Sequence, residues 1–198
     1  QPKIIGISCM TIQQRWVMDI ASLVKQLLPD CEVVIGGIHP TFQAQELLAK
    51  CPYIDVVVRG EGEVSMVELA LEKPKDAIEG IVYCPNGRPE ATAKRPLLTT
   101  AELDALPYPA YDLLPPEAFP LVPRVYTCRG CWGRCEFCVV NKFFENKPRY
   151  RNPVKVVDEI DWLQGTYGVE FVVLGDLTFG GPRAMQVCDE LLARNIKV

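Results

Sequence analysis

The most informative segment of the chain is Cys131-Trp132-Gly133-Arg134-Cys135-Glu136-Phe137-Cys138. Its spacing, Cys-x3-Cys-x2-Cys, puts three thiolates on one short loop after a predicted strand at Val125-Tyr126-Thr127. Three such thiolates can hold three irons of a cubane iron–sulfur cluster and leave the fourth iron open to another ligand. Zinc is the competing interpretation, because Cys128 extends the pattern to Cys-x2-Cys-x3-Cys-x2-Cys. Structural zinc sites usually separate their cysteine pairs by a longer excursion, so the spacing favours the cluster.

The overall composition is that of an ordinary globular protein. The 198 residues are 48% hydrophobic and 23% charged, with a formal net charge of -4, which excludes collagen, low-complexity and wholly disordered chains and gives no general case for nucleic acid binding. No apolar run approaches the roughly 20 residues of a membrane span. Nine cysteines, an odd number, in a patterned chain favour a reducing, cytoplasmic setting over a secreted disulfide framework. Five of them are isolated and predicted to pack as small hydrophobes: Cys9, Cys31, Cys51, Cys84 and Cys188.

The first ninety residues alternate strand and helix signals. Short connections between such elements predict parallel βαβ units and an open α/β sheet, in which ligands bind beyond the carboxyl ends of the strands. The predicted strands are Ile4–Ser8, Val33–Ile35, Asp55–Val58 and Ile81–Tyr83, and the predicted helices are 16–28, 42–50 and 63–72.

Prolines mark a change of organisation after this sheet. Nine of the 17 prolines fall in residues 85–123, which forbids a continuous helix or central strand there. We expect an extended linker held to the surface by Leu106, Tyr108, Tyr111 and Leu113. A second α/β pattern follows, with a helix capped by Asn152-Pro153, a strand at 171–174, a helix at 183–194 and a strand at 196–198. The predicted divisions are 1–93, a linker at 94–123, and 124–198, and we expect the chain to be an internal fragment of a longer protein.

The cysteine segment resembles the radical S-adenosylmethionine (radical SAM) superfamily, whose motif is Cys-x3-Cys-x-aromatic-Cys. The resemblance implies that Cys131, Cys135 and Cys138 bind a [4Fe-4S] cluster, whose open iron chelates S-adenosylmethionine and whose electron cleaves it to a 5′-deoxyadenosyl radical. Phe137 supplies the aromatic position and would lie near the adenine. Cys128 falls outside the triplet, and we interpret it as a bystander.

A second element of the resemblance follows the strand at 171–174. The family has a Gly-Gly-Glu-like segment there, which contacts the methionine amino group, whereas this chain has Gly175-Asp176-Leu177-Thr178-Phe179. The departure from Gly-Gly-Glu leaves a contact through Gly175 or Asp176 as the expectation, with Asp176 as a simple loop cap as the alternative.

The amino-terminal part resembles the cobalamin-binding domains of cobalamin-dependent radical SAM enzymes. The similar segments are Ser8-x-Met10, Gly36-Gly37-Ile38-His39-Pro40-Thr41 and Val58-Arg59-Gly60-Glu61-Gly62-Glu63. Paired glycines let a bulky nucleotide tail approach the backbone, and helix amino termini can meet its phosphate. The Asp-x-His-x-x-Gly element that supplies a cobalt ligand in some cobalamin proteins is not in these residues. The residues implied for cobalamin are Ser8, Met10, Gly36, Gly37, His39, Gly60 and Glu61.

Two of these positions also have plainer interpretations. For His39, the single histidine, a loop residue that caps the backbone is favoured over one that lines the cobalamin pocket, and ligation of cobalt is the least favoured interpretation. Glu61 and Glu63 could touch the corrin or begin a helix, where acidic side chains suit the helix dipole. We favour the helix start for Glu63.

The resemblance predicts the fold class as well as the cofactors. It implies a partial doubly wound, Rossmann-like cobalamin-binding domain, followed by the first βα units of a partial TIM-like radical SAM barrel. The implied activity is methylation of an unactivated carbon in a small-molecule substrate, with a flavodoxin or ferredoxin as electron donor.

Other activities stay open on the sequence alone. A radical cyclase of the bacteriochlorophyll type is the first alternative, and a non-catalytic cobalamin or metal sensor is the alternative of another class. A methylthiotransferase is weaker, because the amino-terminal cysteines are not arranged for a further cluster. Basic residues around the cysteines suggest an anionic substrate or a reductase, or only a solvated face: Arg124, Arg129, Arg134, Lys142, Lys147, Arg149, Arg151 and Lys155.

Overall fold

The computed structural model describes residues 1–119 and 122–197. The chain divides into a first unit, Gln1–Leu97, and a second unit, Leu98–Val198. The first unit contains β1 (Ile4–Ser8), α1 (Gln14–Leu27), β2 (Glu32–Gly36), α2 (Ile38–Lys50), β3 (Val56–Val58), α3 (Glu63–Ala70), β4 (Ile81–Tyr83) and β5 (Glu90–Ala91). No helix in the described part of the chain is long and apolar enough to cross a membrane.

The first unit is built on a sheet of order β1-β2-β3-β4-β5, in which β1, β2 and β3 are parallel as predicted. Successive residues of β2 point to opposite faces: Val33 and Ile35 join one buried cluster and Val34 joins another. Both faces of this strand are therefore covered, which explains its continuous apolar run.

The prediction that β4 continues the parallel pattern is wrong. β4 pairs antiparallel with β3, with Val82 opposite Val57, and β5 pairs antiparallel with β4. The reason lies in residues 71–80, which return the chain after α3 to the carboxyl end of β3. There the Arg59 backbone N–H donates to the Gly80 carbonyl at 2.7 Å, so β4 starts where β3 ends.

Helix α2 begins four residues earlier than the predicted start at Phe42. It runs from Ile38 and contains a kink at Gln43, whose φ of -123° is not helical. Pro40 lies in the first turn, where a missing backbone N–H is tolerated. His39 is consequently part of a helical turn and not of a loop.

The second unit contains α4 (Thr100–Ala105), β6 (Arg124–Val125), β7 (Cys128–Arg129), α5 (Val139–Phe143), β8 (Arg149–Tyr150), α6 (Pro153–Tyr167), β9 (Val173–Leu174) and α7 (Gly181–Ala193). β6 and β9 are parallel and joined through α6, while β7 and β8 form an antiparallel pair. Its core consists of Val125, Val156, Val157, Ile160, Leu163, Val187 and Leu191. These strands are shorter than predicted, because residues 126–127 and 171–172 lie outside any ladder.

The caps of α6 follow the sequence signals. The Asn152 side chain accepts from the Val154 N–H at 3.0 Å, Pro153 occupies the first turn, and Gly168 ends the helix with φ +64°. Residues 196–197 do not form the predicted strand, and Val198 lies outside the described residues.

The part of the proline-rich segment that follows Leu97 belongs to the second unit and is ordered within it. The short helix α4 occupies a stretch without proline and begins with a capping box between Thr99 and Glu102. The ring of Tyr108 packs on Trp162 at 4.9 Å between centroids, and Tyr111 packs on Tyr167 at 5.9 Å. The prediction for Leu113 is wrong, since this side chain is 80% exposed. Pro120, counted in the linker, lies outside the described residues.

Candidate cofactor sites

The carboxyl ends of β1, β2 and β3 meet at one edge of the first sheet, which we call the strand-end edge (residues 8–11, 36–41 and 59–63). Ser8 pairs with Gly36, and the Cys9 N–H donates to the Gly36 carbonyl at 2.8 Å. All seven residues implied for cobalamin, including the exposed Met10, therefore lie on this edge. The residues implied for cobalamin, which follow three different strands in the sequence, are therefore neighbours in the fold.

The two adjacent glycines of this edge serve different purposes. Gly37 has φ +103°, and a Cβ there would lie 2.9 Å from the Cys9 carbonyl oxygen and 3.1 Å from Ser8 Oγ. No side chain fits in that space or suits that backbone. A Cβ on Gly36 would meet only ordinary contacts, the nearest being 3.7 Å from the Val58 carbonyl oxygen. Gly37 is thus required by the close approach of the β1 backbone.

His39 lies at the start of α2 and faces the end of β1. Its backbone N–H donates to the Cys9 carbonyl at 3.3 Å, and its Nδ1 hydrogen-bonds with Thr11 Oγ1 at 3.2 Å. The Nε2 atom is buried and has no hydrogen-bond partner among the described residues. A buried imidazole nitrogen of this kind is ready to bond with a ligand group.

Thr41 is a structural residue of this edge that the sequence analysis did not single out. Its Oγ1 donates to the Gly37 carbonyl at 2.7 Å and accepts from the Gly60 N–H at 2.9 Å. One hydroxyl therefore joins the end of β2 to the end of β3. Gly60, with φ +75°, has open space where a Cβ would be. Glu61 is buried and Glu63 is the first residue of α3, as predicted for it.

The cysteine loop (residues 130–138) joins β7 to α5. The Gly133 N–H donates to Cys131 Sγ at 3.3 Å. A Cβ on Gly133 would lie 3.4 Å from Cys131 Sγ and 3.9 Å from Cys135 Sγ, so both sulfurs border this glycine. Cys138 precedes α5, and its N–H donates to the Cys135 carbonyl at 3.1 Å.

Asn141 is a second residue that the sequence analysis missed. It is buried, and its Nδ2 donates to the Cys135 carbonyl at 3.2 Å. A buried amide that bonds to the backbone beside a cysteine supports the shape of the loop. No spacing rule in the sequence distinguishes this asparagine from one exposed to solvent.

The four crowded cysteines have different environments. Cys128 is 4% exposed, whereas Cys131 and Cys138 are half-buried and Cys135 is exposed. Burial first, and then the charge and hydrogen bonding of Asp176, raise the pKa of the Cys128 thiol to about 12. Burial and the neighbouring carboxylate thus disfavour the thiolate form of Cys128, which is the form that binds metals.

Asp176 and its neighbours bond to the segment that leads into the cysteine loop. Asp176 Oδ1 accepts from the Thr127 and Cys128 backbone N–H groups at 2.8 and 2.9 Å, and its Oδ2 accepts from Thr127 Oγ1 at 2.6 Å. Thr178 Oγ1 donates to Cys131 Sγ at 3.7 Å. A Cβ on Gly175 would lie 2.7 Å from the Tyr126 ring, which explains the glycine.

The aromatic residue of the motif points to solvent. Phe137 is 93% exposed, so it is accessible for stacking on a planar ligand. Among the basic residues, Arg149 Nη1 donates to the Leu98 carbonyl at 2.8 Å, and Arg151 pairs with Glu159 at 2.6 Å. These two are structural, whereas Arg134 and Lys142 are exposed.

Within residues 1–119 and 122–197, no group of three or more His, Cys, Asp or Glu side chains is arranged to hold a metal ion. The cysteine loop nevertheless suits an iron–sulfur cluster in its donors. It offers three accessible thiols and places two sulfurs beside a glycine without a Cβ. A backbone N–H and a hydroxyl already bond to one of those sulfurs, as the outer hydrogen bonds of a cluster do.

Comparison with known proteins adds to this picture. Residues 1–70 match the family described as the B12 binding domain. An uncharacterized methyltransferase from Pyrococcus horikoshii is 36% identical over 186 residues, which cover 90% of this chain and 40% of that protein. The anaerobic magnesium-protoporphyrin IX monomethyl ester cyclase from Rubrivivax gelatinosus is 32% identical over 213 residues, covering 100% of this chain and 38% of the cyclase.

A solved structure has the same fold. It is that of the cobalamin-dependent S-adenosylmethionine radical enzyme OxsB with aqua-cobalamin and S-adenosylmethionine bound. It matches with a TM-score of 0.76 at 22% identity, covering 100% of this chain and 30% of OxsB. The predicted α/β fold class is confirmed. The chain spans about 40% of the length of the curated relatives it matches.

Proposed function

Because the chain belongs to the cobalamin-binding radical SAM proteins, we propose that the whole protein is a cobalamin-dependent radical SAM enzyme that methylates an unactivated carbon of a small molecule. The observation that carries the proposal is the presence, in one chain, of the strand-end edge in a B12-binding fold and of the cysteine loop after β7. A sensor that binds cobalamin without catalysis would not require a loop with three closely spaced thiols.

The strand-end edge suits cobalamin in its chemistry. The unpartnered Nε2 of His39 provides a hydrogen-bonding group, and no side chain covers the backbone at Gly60. Gly37 keeps the backbone of two strand ends close together, so the ligand meets a fixed surface. The residues that would hold cobalamin are Ser8, Met10, Gly36, Gly37, His39, Gly60 and Glu61.

The cysteine loop would hold a [4Fe-4S] cluster through Cys131, Cys135 and Cys138. With S-adenosylmethionine, the bound cluster would supply a 5′-deoxyadenosyl radical for removal of a hydrogen atom from substrate, and bound cobalamin would carry the methyl group that replaces it. Phe137, exposed beside the third cysteine, would cover the adenine of S-adenosylmethionine, and the backbone at Gly175 would border its methionine part. An electron donor such as flavodoxin or ferredoxin would reach the loop past the exposed Arg134 and Lys142.

The test uses the full-length protein that contains this chain, reconstituted anaerobically with iron and sulfide and supplied with cobalamin, S-adenosylmethionine and a reductant. We expect cluster absorbance, bound cobalamin, and formation of both 5′-deoxyadenosine and S-adenosylhomocysteine. The Cys135→Ala variant is the matched control and should form no 5′-deoxyadenosine. Equal 5′-deoxyadenosine from this variant, or the failure of the parent protein to assemble a cluster, would overturn the proposal.

A radical cyclase is the second candidate, favoured by the match of the whole chain to the magnesium-protoporphyrin IX monomethyl ester cyclase. Methyl transfer consumes the methyl group of S-adenosylmethionine, whereas cyclisation does not. Formation of 5′-deoxyadenosine without S-adenosylhomocysteine would therefore favour the cyclase.

A further inference from the structure

The carboxylate of Asp176 accepts three hydrogen bonds from the chain that enters the cysteine loop. Oδ1 accepts two backbone N–H groups, those of Thr127 and Cys128, and Oδ2 accepts the Thr127 hydroxyl. The Thr127 side chain is buried and Asp176 is half-buried, so these bonds are only partly open to water. Charge-assisted bonds of this kind are stronger than neutral ones. Asp176 therefore fixes two consecutive peptide groups just before the first cysteine of the triplet.

The neighbours of Asp176 make further contacts with the same strand. The Gly175 N–H donates to the Val125 carbonyl at 2.8 Å, and the Tyr126 ring lies against Gly175. Thr178 Oγ1 donates to Cys131 Sγ, and the Thr178 carbonyl accepts from Cys128 Sγ at 3.9 Å. The segment after β9 thus contacts each residue from 125 to 128, and also Cys131.

We propose that Asp176 is a positioning residue, which sets the path of the backbone from Thr127 into Cys131 and so places the cysteine loop for its cluster. This role rests on the proposed function, and it replaces the expectation that the Asp176 side chain binds S-adenosylmethionine. Both carboxylate oxygens are occupied by the loop entry. Three of the roughly four acceptor positions of the carboxylate are filled, which leaves a ligand amino group one position, on Oδ2.

The two roles are separable because Asn can keep the hydrogen bonds without the charge. In Asp176→Asn, Oδ1 still accepts the two N–H groups, and Nδ2 donates to the Thr127 hydroxyl, which can act as an acceptor. In Asp176→Ala all three bonds are lost. Glu170 is exposed and precedes β9, the strand that leads to Asp176, so Glu170→Ala serves as the control.

The experiment compares these variants in the full-length protein with three measurements: amide hydrogen exchange at residues 127–128, iron per chain after reconstitution, and binding of S-adenosylmethionine to the reconstituted protein. We expect Asp176→Ala to speed exchange by about tenfold or more, and to lose at least about half of the iron. Glu170→Ala should keep both values, while Asp176→Asn should keep the iron and lose much less protection from exchange than Asp176→Ala, because its amide makes the same bonds without the charge. Asp176→Asn should also bind S-adenosylmethionine within about twofold of the parent.

Two results would overturn the proposal. One is unchanged exchange and iron content in Asp176→Ala. The other is an Asp176→Asn protein with normal exchange and iron whose affinity for S-adenosylmethionine falls about tenfold, which would make the carboxylate a ligand of that molecule. If Asp176→Ala does not fold, Thr127→Val removes only the hydroxyl bond and should raise exchange at residues 127–128 by a smaller factor. If the parent protein binds no iron, the proposed function fails, while the exchange data still report on the contact.

Discussion

The strand-end edge of the first unit is held by a five-stranded sheet, whereas the cysteine loop of the second unit follows a strand of only two residues. At the first site the chain is fixed by backbone pairing, by the left-handed Gly37 and by one hydroxyl, that of Thr41. At the second site it is fixed largely by side chains, chiefly Asp176 and Asn141. A site at the end of a buried sheet takes its rigidity from the fold, while a loop on a short strand depends on particular side chains.

The largest effect is expected at the cysteine loop, where we compare Cys135→Ala with Cys128→Ala. The first removes an exposed thiol of the triplet and should abolish cluster assembly, while the second removes a buried thiol outside the triplet and should retain it. Iron and acid-labile sulfide per chain, with the cluster absorbance, measure the outcome. Equal loss of iron in the two variants would make Cys128 a ligand and end the distinction between the four cysteines.

The next effect tests the backbone at the strand-end edge. Gly37→Ala should destabilise the protein by about 2–4 kcal/mol, because the residue must keep a positive φ and its Cβ would clash with Cys9. Gly60→Ala is the matched control: its φ is also positive but its Cβ has open space, so the cost should be about 1–2 kcal/mol. Denaturant unfolding of the cofactor-free protein gives both values. Similar losses in the two variants would show that the close approach of Cys9 has no energetic importance.

A smaller effect is expected for the one side chain that joins two strand ends. Thr41→Val leaves the Gly60 N–H and the Gly37 carbonyl without this partner and should cost about 1–3 kcal/mol. Thr41→Ser keeps the hydroxyl and should recover most of the stability in the same unfolding measurement. If serine does not recover it, the threonine methyl group matters more than the bridge.

The smallest effect concerns the hydrogen bond from Thr178 to Cys131 Sγ. Donors to cluster sulfurs favour the reduced, more negative state, so Thr178→Val should lower the reduction potential of the reconstituted cluster. Thr178→Ser should keep the parent value. A potentiometric titration followed by electron paramagnetic resonance measures both, and an unchanged potential in Thr178→Val would show that this bond is absent once the cluster is bound.

The sequence predicted the parallel strands and the helix caps well, because apolar runs and capping residues act locally. β2 and α6 are examples, with Val33–Ile35 buried on both faces and Asn152 bonded to Val154. The direction of β4 was not predictable in this way, because it depends on where residues 71–80 return the chain. Helical spacing also identified α1 without showing which face is buried: Val17 is covered and Trp16 is 67% exposed.

The candidate sites show the same contrast between local signals, which the sequence reveals, and long-range contacts, which it does not. Cysteine spacing and paired glycines mark positions because few other residues meet those chemical and steric demands. Thr41, Asn141 and the bonds of Asp176 act between segments far apart in sequence. Threonine, asparagine and aspartate also occur in loops and helix caps, where they bond to neighbouring backbone groups. Their partners far away in the sequence can therefore be identified only in the folded chain.

The bonds between Asp176 and Thr127 join residues 49 positions apart. During synthesis the three cysteines of the loop therefore leave the ribosome well before the carboxylate that orders the chain leading to them. Closing so long a segment costs conformational entropy, which is recovered only when β9 pairs with β6. Until β9 pairs with β6, the loop is not ordered, and its thiols are exposed to oxidants and to other metals. The proposed cluster would thus have an ordered loop to enter only after the second βα unit has been made.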